Sequence, residues 1–229
     1  MKPDKSLNDG HGNEMALAEL RRSLSCVDLA CPGLDLYGHS TRVGDLATGL
    51  GRAMGLGERD AQLLGEAACF HDVGKLFIPV STLGKPGPLA FDERSLIESH
   101  CDLGYNALAN ETGAFAEMAR NIARLHHERY DGKGYPGRLG GTDIPFEARI
   151  VAVADVYDAL RSVRSYKAQQ SHEDTVGQIV KECRGDPGGF DPLVMEAFLD
   201  TQADIRAIWD RAMLSRIAAT MKGCRERTG

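Results

Sequence analysis

Histidines and aspartates in this chain cluster at predicted helix ends that lead into glycine-rich segments. Five of the seven histidines lie at or within such helices: His39, His71, His100, His126 and His127. Imidazole and carboxylate groups together suit first-row divalent metals such as iron, manganese, nickel and zinc. One such histidine alone is more often structural, but their joint occurrence favours a metal site.

The run His71-Asp72-Val73-Gly74-Lys75 carries the clearest local pattern. Adjacent residues of a helix point about 100° apart, so His71 can ligate one metal while Asp72 reaches toward a second. A carboxylate has two oxygens and can bridge two metals, which an imidazole cannot. Lys75 lies four residues after His71, where its ammonium group can hold a phosphate as a point charge. The alternative is a His-Asp capping pair beside a solvated lysine.

The pair His126-His127 repeats this geometry with two imidazoles. The alternative is a polar helix end that runs into a surface loop. Asp155 lies in the apolar run 150–156, where a charged group is costly to bury unless it is paired or bound to metal. Asp158 is a weaker candidate, which simply caps or solvates the same helix. Asp155 is therefore the most informative carboxylate.

Asp35 lies four residues before His39. If the helix begins early enough, the two side chains share a face, and Asp35 is then an additional metal ligand. An ordinary acid at a helix N-terminus explains the residue equally well. The spacing alone leaves both interpretations open.

The composition is that of a globular protein. The chain has 229 residues, 42% of them hydrophobic and 26% charged, with a formal net charge of −6. This charge disfavours broad binding to nucleic acid or to a membrane surface, since both need basic patches. The absence of a visible signal peptide or long apolar run predicts a cytoplasmic protein. None of the six cysteines forms Cys-x-x-Cys, so a thiolate zinc site is not expected.

Hydrophobic periodicity predicts an all-α fold. The run 150–154 also suits a buried strand, but no second strand candidate exists to pair with it, so we interpret it as helix. Glycines and prolines predict two long loops, at 76–90 and 128–146. The predicted helices span residues 14–30, 38–54, 58–72, 91–109, 114–127, 146–160, 172–184, 191–200 and 202–220.

The same pattern predicts four regions along the chain. Residues 1–13 are polar and expected to be disordered, and 14–33 form an N-terminal helix or linker. The main domain is expected to cover 34–220, and 221–229 a flexible C-terminus. The leucine stripe of the N-terminal helix needs a partner to cover it, as a dimerisation element or the remnant of a linker.

These residues resemble the motifs of the HD-GYP domain family, a branch of the HD superfamily of metal-dependent phosphohydrolases. The resemblance runs from about Leu34 to Leu199 and so covers most of the chain. It rests on motifs in a fixed order: His39-Ser40-x-Arg42-Val43, His71–Lys75 with Ile78-Pro79, His100 with Gly104-Tyr105, His126–Pro136, Ile144-Pro145 and Arg149–Leu160.

The resemblance implies an all-α, HD-domain helical bundle with a long GYP loop. Its members hydrolyse the bacterial second messenger cyclic di-GMP to pGpG and often to GMP. They do so at a centre of two or three divalent metal ions, for which iron or manganese is expected first and nickel or zinc are alternatives. By position, the implied metal ligands are His39, His71, Asp72, His100, His126, His127 and Asp155, with Asp35 added in members that hold a third metal.

The resemblance also implies substrate contacts. Lys75 matches a phosphate-contacting lysine, and Asp72 with Lys75 would carry the catalytic role. Arg164 and Lys167 fall where the family often places further phosphate contacts. The chain departs from the usual pattern just before His39 and at 163–167, which read Gly33-x-x-Leu36 and Val-Arg-Ser-Tyr-Lys. Neither change removes an implied ligand, but both are expected to reshape the substrate pocket.

Three functions follow as hypotheses. The first is an active cyclic di-GMP phosphodiesterase. The second is a slow or inactive metal-bound module that binds cyclic dinucleotides or proteins, with diguanylate cyclases of the GGDEF type contacting loop 128–146. The third is a phosphohydrolase for another cyclic dinucleotide. A homodimer is also expected.

Overall fold

The computed structural model of the protein describes residues 38–162, 170–185 and 187–227, with side chains through residue 215. Over these ranges the fold is all-α, as predicted, with one isolated antiparallel bridge between Asp131 and Gly140. The helices are α1 His39–Ala53, α2 Glu58–Ala68, α3 Val80–Leu83, α4 Phe91–Glu98, α5 His100–Ala107, α6 Ala114–Leu125, α7 Phe146–Arg161, α8 His172–Glu182, α9 Pro192–Asp200 and α10 Gln202–Arg227.

Helices α1 and α2 lie unusually close together because two glycines face each other. A Cβ atom added at Gly44 would come within 2.6 Å of the carbonyl oxygen of Gly65, and the reverse is also true. Val43, Leu46 and Leu50 of α1 are buried in the core, as their periodicity predicted. This close packing holds the start of α1 near the end of α2, where two of the candidate metal-binding segments lie.

Helix α7 is the central element of the core. The run 150–154 is helical rather than a strand, which confirms the prediction, and its apolar side chains are almost completely buried. Helix α7 contacts α1, α6, α8 and α9. A helix that is apolar on nearly all sides belongs in the middle of a bundle, so a carboxylate placed on α7 is held within the core.

The predicted helix over 58–72 is too long. Helix α2 ends at Ala68, and His71 and Asp72 lie in a turn that leads into a 3-10 helix, Val73–Phe77. Gly74 lies within this 3-10 helix and serves close packing: a Cβ there would lie 2.6 Å from the Gly104 nitrogen and would overlap the backbone of His100.

Other boundaries differ as well. The predicted helix 91–109 is two helices, α4 and α5, separated at Ser99, and the predicted loop 76–90 contains α3. The last helix passes its predicted end at 220 and continues to Arg227. The predictions for residues 1–13 and 14–33 lie outside the described residues. Across the described helices, none has the length and apolarity needed to cross a membrane.

We expect Gly74→Ala to destabilise the metal-free protein by about 1–3 kcal/mol, because the added methyl group overpacks the contact with α5. Urea denaturation after chelation measures this effect. The matched control is Gly177→Ala, where nothing lies within 4 Å of the new Cβ and alanine should stabilise helix α8 by about 0.5–1 kcal/mol. Equal stability of the Gly74 variant and the parent protein would contradict the packing role.

Candidate metal centre

The predicted ligands come together in the core although they lie on five separate segments. His39 is the first residue of α1, His100 the first of α5, and His126 the residue that caps the end of α6. The others are His71 and Asp72 in the turn after α2, His127 after α6, and Asp155 in the middle of α7. The structure therefore gathers every predicted histidine ligand and both predicted aspartates that it describes.

Asp72 lies between two groups of imidazoles. Its Oδ2 atom is 3.3 Å from Nε2 of His71 and 3.9 Å from Nε2 of His39. Its Oδ1 atom is 3.4 Å from Nε2 of His100 and 3.8 Å from Nε2 of His126. One carboxylate thus presents a different oxygen to each group, which is the arrangement that a carboxylate bridging two metal ions requires.

Asp155 completes the first group. Its Oδ1 atom is 3.2 Å from Nε2 of His39 and 3.8 Å from Nε2 of His71. The Nε2 atoms of these two histidines lie only 3.1 Å apart. Two imidazole nitrogens and two carboxylates therefore converge on one small volume, a donor set that suits a first-row divalent cation.

Two independent observations indicate that these residues fit a metal ion. Asp72 belongs to two groups of residues, and within each group the ligand atoms lie within 4.8 Å of one another. One group is His39, His71 and Asp72, and the other is Asp72, His100, His126 and His127. In addition, Oδ1 of Asp72 and Nε2 of His126 are buried and have no hydrogen-bond partner in the described structure. Buried polar atoms are rarely left unpaired, and a cation between them would satisfy both.

The backbone sets the tautomer of three imidazoles. The Nδ1 atoms of His71, His100 and His126 lie 2.9, 2.6 and 2.9 Å from the carbonyl oxygens of Ala68, Ile97 and Ile122 respectively. A carbonyl only accepts hydrogen bonds, so each Nδ1 atom carries the proton and donates it. Each Nε2 atom is then an unprotonated lone pair that points into the site, as metal ligation requires.

Burial keeps the second group of imidazoles neutral. It lowers the pKa of His100, lowers the pKa of His126 well below its usual value, and lowers the pKa of His127 to about 3. The neighbouring imidazoles add to the effect, because one positive charge disfavours another nearby. A neutral imidazole is the form that binds metal.

The first group instead favours a positive charge. Burial by itself would lower the pKa of His39, but hydrogen bonds with Asp155 and Asp158 raise it to about 10. Burial by itself would raise the pKa of Asp72, but Lys75, His71 and His100 hold it well below its usual value. The carboxylates thus stay ionised and attract a cation, and a metal ion would take the place of the proton on His39.

Lys75 lies at the edge of this cluster. Its ammonium group hydrogen-bonds Oδ2 of Asp72, and its side chain is 18% exposed. The lysine is therefore partly open to solvent on one side and in contact with the candidate metal-bridging carboxylate on the other. A phosphate group that approached the centre would meet this cation.

The glycine-rich loop after α6 is tied to the end of that helix. The ring of Tyr135 stacks on that of His127, with centroids 4.7 Å apart and an interplanar angle of 27°. The Tyr135 backbone nitrogen donates to the His127 carbonyl oxygen at 3.2 Å. Gly134 packs where a Cβ would come within 2.6 Å of that same oxygen. The Gly-Tyr-Pro segment thus supports one of the candidate ligands.

Glu128 anchors the far side of the loop. It is buried, and its Oε1 and Oε2 atoms accept hydrogen bonds from the backbone nitrogens of Gly137 and Leu139 at 2.5 and 3.1 Å. The sequence motif contained Glu128 but gave it no role. Only the structure shows that both of its oxygens accept hydrogen bonds from the returning part of the loop.

We expect Glu128→Gln to loosen the loop, because the amide would place an NH2 group against one of the two backbone donors. Limited proteolysis should cut the 129–140 region at least about tenfold faster, consistent with a loss of roughly 1–3 kcal/mol for a buried donor left unpaired. The control is Glu117→Gln, at an exposed position on α6. Unchanged cleavage would show that Glu128 does not hold the loop.

Among the candidate site residues, the structure corrects one interpretation and leaves three untested. Asp158 does not cap or solvate its helix: it is completely buried and hydrogen-bonded to His39, Arg42 and Trp209. Asp158 lies three residues after Asp155, so both residues share one face of α7. This spacing was the signal in the sequence that could have indicated a buried position for Asp158. Asp35, Arg164 and Lys167 lie outside the residues that the structure describes, so their roles stay predictions.

The chain is similar to known proteins in both sequence and fold. Residues 26–192 match the model of the HD domain family. The chain is 41% identical over 167 residues to the cyclic di-GMP phosphodiesterase response regulator RpfG of Xanthomonas campestris. The aligned region covers 73% of this chain and 43% of that protein. It is 39% identical over 171 residues to the 3'3'-cGAMP-specific phosphodiesterase 2 of Vibrio cholerae, covering 74% and 32%.

A solved structure agrees in fold. The cyclic GMP-AMP specific phosphodiesterase V-cGAP3 of Vibrio cholerae superposes with a TM-score of 0.57 at 19% identity, over 85% of this chain and 53% of that one. The chain spans less than half the length of the two relatives compared by sequence. The family match, by contrast, covers well over half of the chain and includes every candidate ligand. The chain belongs to the HD domain family, as its motifs predicted.

Proposed function

We propose that the protein is a metal-dependent phosphodiesterase that hydrolyses cyclic di-GMP. Water would add to one phosphorus atom and break a P–O bond, which opens the ring to linear pGpG, and a second hydrolysis would give GMP. The observation that carries the proposal is the buried carboxylate of Asp72, which faces one pair of imidazoles with each oxygen. The names of the relatives support the substrate class.

The residues have distinct roles in this proposal. His39, His71, Asp72 and Asp155 would hold one metal, and Asp72, His100, His126 and His127 the other. When bound, such metals supply a water nucleophile at neutral pH and polarise the phosphodiester. The ammonium group of Lys75, beside Asp72, would offset negative charge on the phosphate oxygens. The buried walls exclude bulk water, which strengthens each of these interactions.

The metal and the outer contacts are part of the proposal. Iron or manganese suits the mixed imidazole and carboxylate ligands, and nickel and zinc remain chemically acceptable. Asp35, four residues before His39, is proposed as a ligand to a third metal. Arg164 and Lys167 are proposed to bind the substrate phosphates. Each assignment rests on the family motif and on spacing in the sequence.

The remaining proposals concern place and partners. We propose that the enzyme acts in the cytoplasm, because its proposed substrate is a bacterial second messenger. The loop 128–146, anchored by Glu128, is proposed as the surface that contacts GGDEF-type diguanylate cyclases. The leucine stripe within residues 14–33 would mediate a homodimer. The domain that carries the activity is proposed to span 34–220.

The test is turnover measured beside metal content. Protein purified anaerobically is assayed by chromatography with cyclic di-GMP and, in parallel, with 3'3'-cGAMP, the substrate named for one relative. We expect cyclic di-GMP to be converted and the activity to disappear with chelator. A clear preference for 3'3'-cGAMP would move the proposal to that substrate. Bound metal without turnover of either compound would favour a signalling module instead.

A further inference from the structure

His39 differs from the other histidines of the centre in what holds its outer nitrogen. Backbone carbonyls accept the Nδ1 protons of His71, His100 and His126. The Nδ1 atom of His39 instead lies 2.7 Å from Oδ2 of Asp158. A side chain, rather than the fixed backbone of its own helix, therefore orients this imidazole.

The carboxylate of Asp158 is itself held rigidly. It is completely buried. Arg42 donates from Nε to Oδ1 at 2.6 Å and from Nη2 to Oδ2 at 3.0 Å, and Trp209 donates from Nε1 to Oδ1 at 2.7 Å. Ser162 adds a longer contact, from Oγ to Oδ2 at 3.3 Å. Both oxygens are thus engaged by donors from α1 and α10, so the carboxylate has no second position to occupy.

Two carboxylates on α7 enclose the same imidazole. Asp155 and Asp158 lie three residues apart and so on one face of the helix. Asp155 faces Nε2 of His39 at 3.2 Å, on the side of the candidate metal, and Asp158 faces Nδ1 on the opposite side. An imidazole that donates to a carboxylate is both oriented and made a stronger metal ligand.

We propose that Asp158 is a positioning residue for the metal centre: it holds His39 in the tautomer and orientation that point Nε2 at His71, Asp72 and Asp155. Arg42 and Trp209 keep the carboxylate in place. The proposal deepens the proposed function and rests on it. Arg42 also offers a purely structural role for Asp158, because a buried guanidinium needs a compensating charge.

A set of variants separates the two roles. Asp158→Asn cannot accept from His39, Arg42 and Trp209 together, because one of its two atoms is a donor. It also leaves Arg42 uncompensated, so it can lose metal simply by unfolding. The double variant Arg42→Met with Asp158→Leu removes both charges of this pair together with the acceptor for the His39 Nδ1 proton. The control is Asp204→Asn, at an exposed position on α10.

Metal affinity, measured by titration of the chelated protein with Mn²⁺ or Zn²⁺, decides between them. The double variant should melt within a few degrees of the parent protein in the metal-free state, yet bind metal about 10–100-fold more weakly. A double variant that binds metal as tightly as the parent would overturn the proposal and leave Asp158 a structural partner of Arg42. A parent protein that binds no metal would instead overturn the proposed function.

A measurement on the parent protein covers the case in which both variants fail to fold. In the zinc-loaded protein, long-range ¹H–¹⁵N spectra should show His39 protonated at Nδ1, with a strong hydrogen bond to a carboxylate. Protonation at Nε2, or an Nδ1 proton that exchanges as fast as that of a solvent-exposed histidine, would overturn the positioning role.

Discussion

Asp72→Asn is expected to lower turnover of cyclic di-GMP by about 10³-fold or more and to reduce the metal content of the protein. The carboxylate presents Oδ1 to one group of imidazoles and Oδ2 to the other. An amide offers only one oxygen, and its nitrogen cannot ligate a metal. The variant therefore loses the shared ligand on which both metal positions depend, and with it the source of the nucleophile and of charge stabilisation.

Metal per chain and turnover must be measured on the same sample of this variant. The isosteric change keeps the volume of the side chain, and Asp60→Asn, at an exposed position of α2, provides the control. The metal-free variant should remain folded. The substitution removes a negative charge beside Lys75, but the side chain of that lysine is partly exposed, so water can solvate its ammonium group. Full metal content with normal turnover would remove Asp72 from the centre.

Lys75→Met is expected to lower turnover without lowering metal content, whereas Asp72→Asn lowers both. Turnover should fall by about 10²–10³-fold, the usual effect of removing one group that stabilises transition-state charge, while metal content is retained. The ammonium group contacts Asp72 but contributes no lone pair to a metal. Methionine keeps most of the apolar stem, so the packing of the 3-10 helix Val73–Phe77 is preserved.

The kinetic pattern of this variant distinguishes catalysis from binding. A fall in kcat with a small change in KM indicates that Lys75 acts mainly on the transition state. A rise in KM alone would assign it to substrate binding. Lys75→Arg should recover only part of the rate, since the guanidinium is larger and planar. Unchanged kinetics would reduce Lys75 to a partner that compensates Asp72.

Some of the candidate ligands stand out in the sequence because their chemistry contradicts their surroundings. Asp155 stands in an apolar run, and a core helix tolerates such a group only when something binds it. His126 and His127 end an amphipathic helix whose apolar stripe faces the core. These local signals marked single candidate donors. The full candidate set came from the resemblance to the HD-GYP motifs, and neither source gave the distances between the donors.

The errors came from contacts between distant parts of the chain. Helix α2 ends early, and Gly74 packs against α5, some thirty residues further along, in a way that local periodicity does not reveal. Asp158 resembled a solvated acid because its partners Arg42 and Trp209 are 116 and 51 residues away. Helical spacing shows which face a residue occupies but not what that face meets.

The buried carboxylate of Asp72 is proposed to organise a metal centre that hydrolyses a cyclic dinucleotide. The most direct measurement is metal content per chain of anaerobically purified protein, followed by cyclic di-GMP turnover before and after chelation and after readdition of Fe²⁺ or Mn²⁺. We expect about two or three ions per chain, loss of activity on chelation and its recovery with metal. Turnover that persists in metal-free protein would contradict the proposed role of the metal centre, and so would a chain that binds no metal.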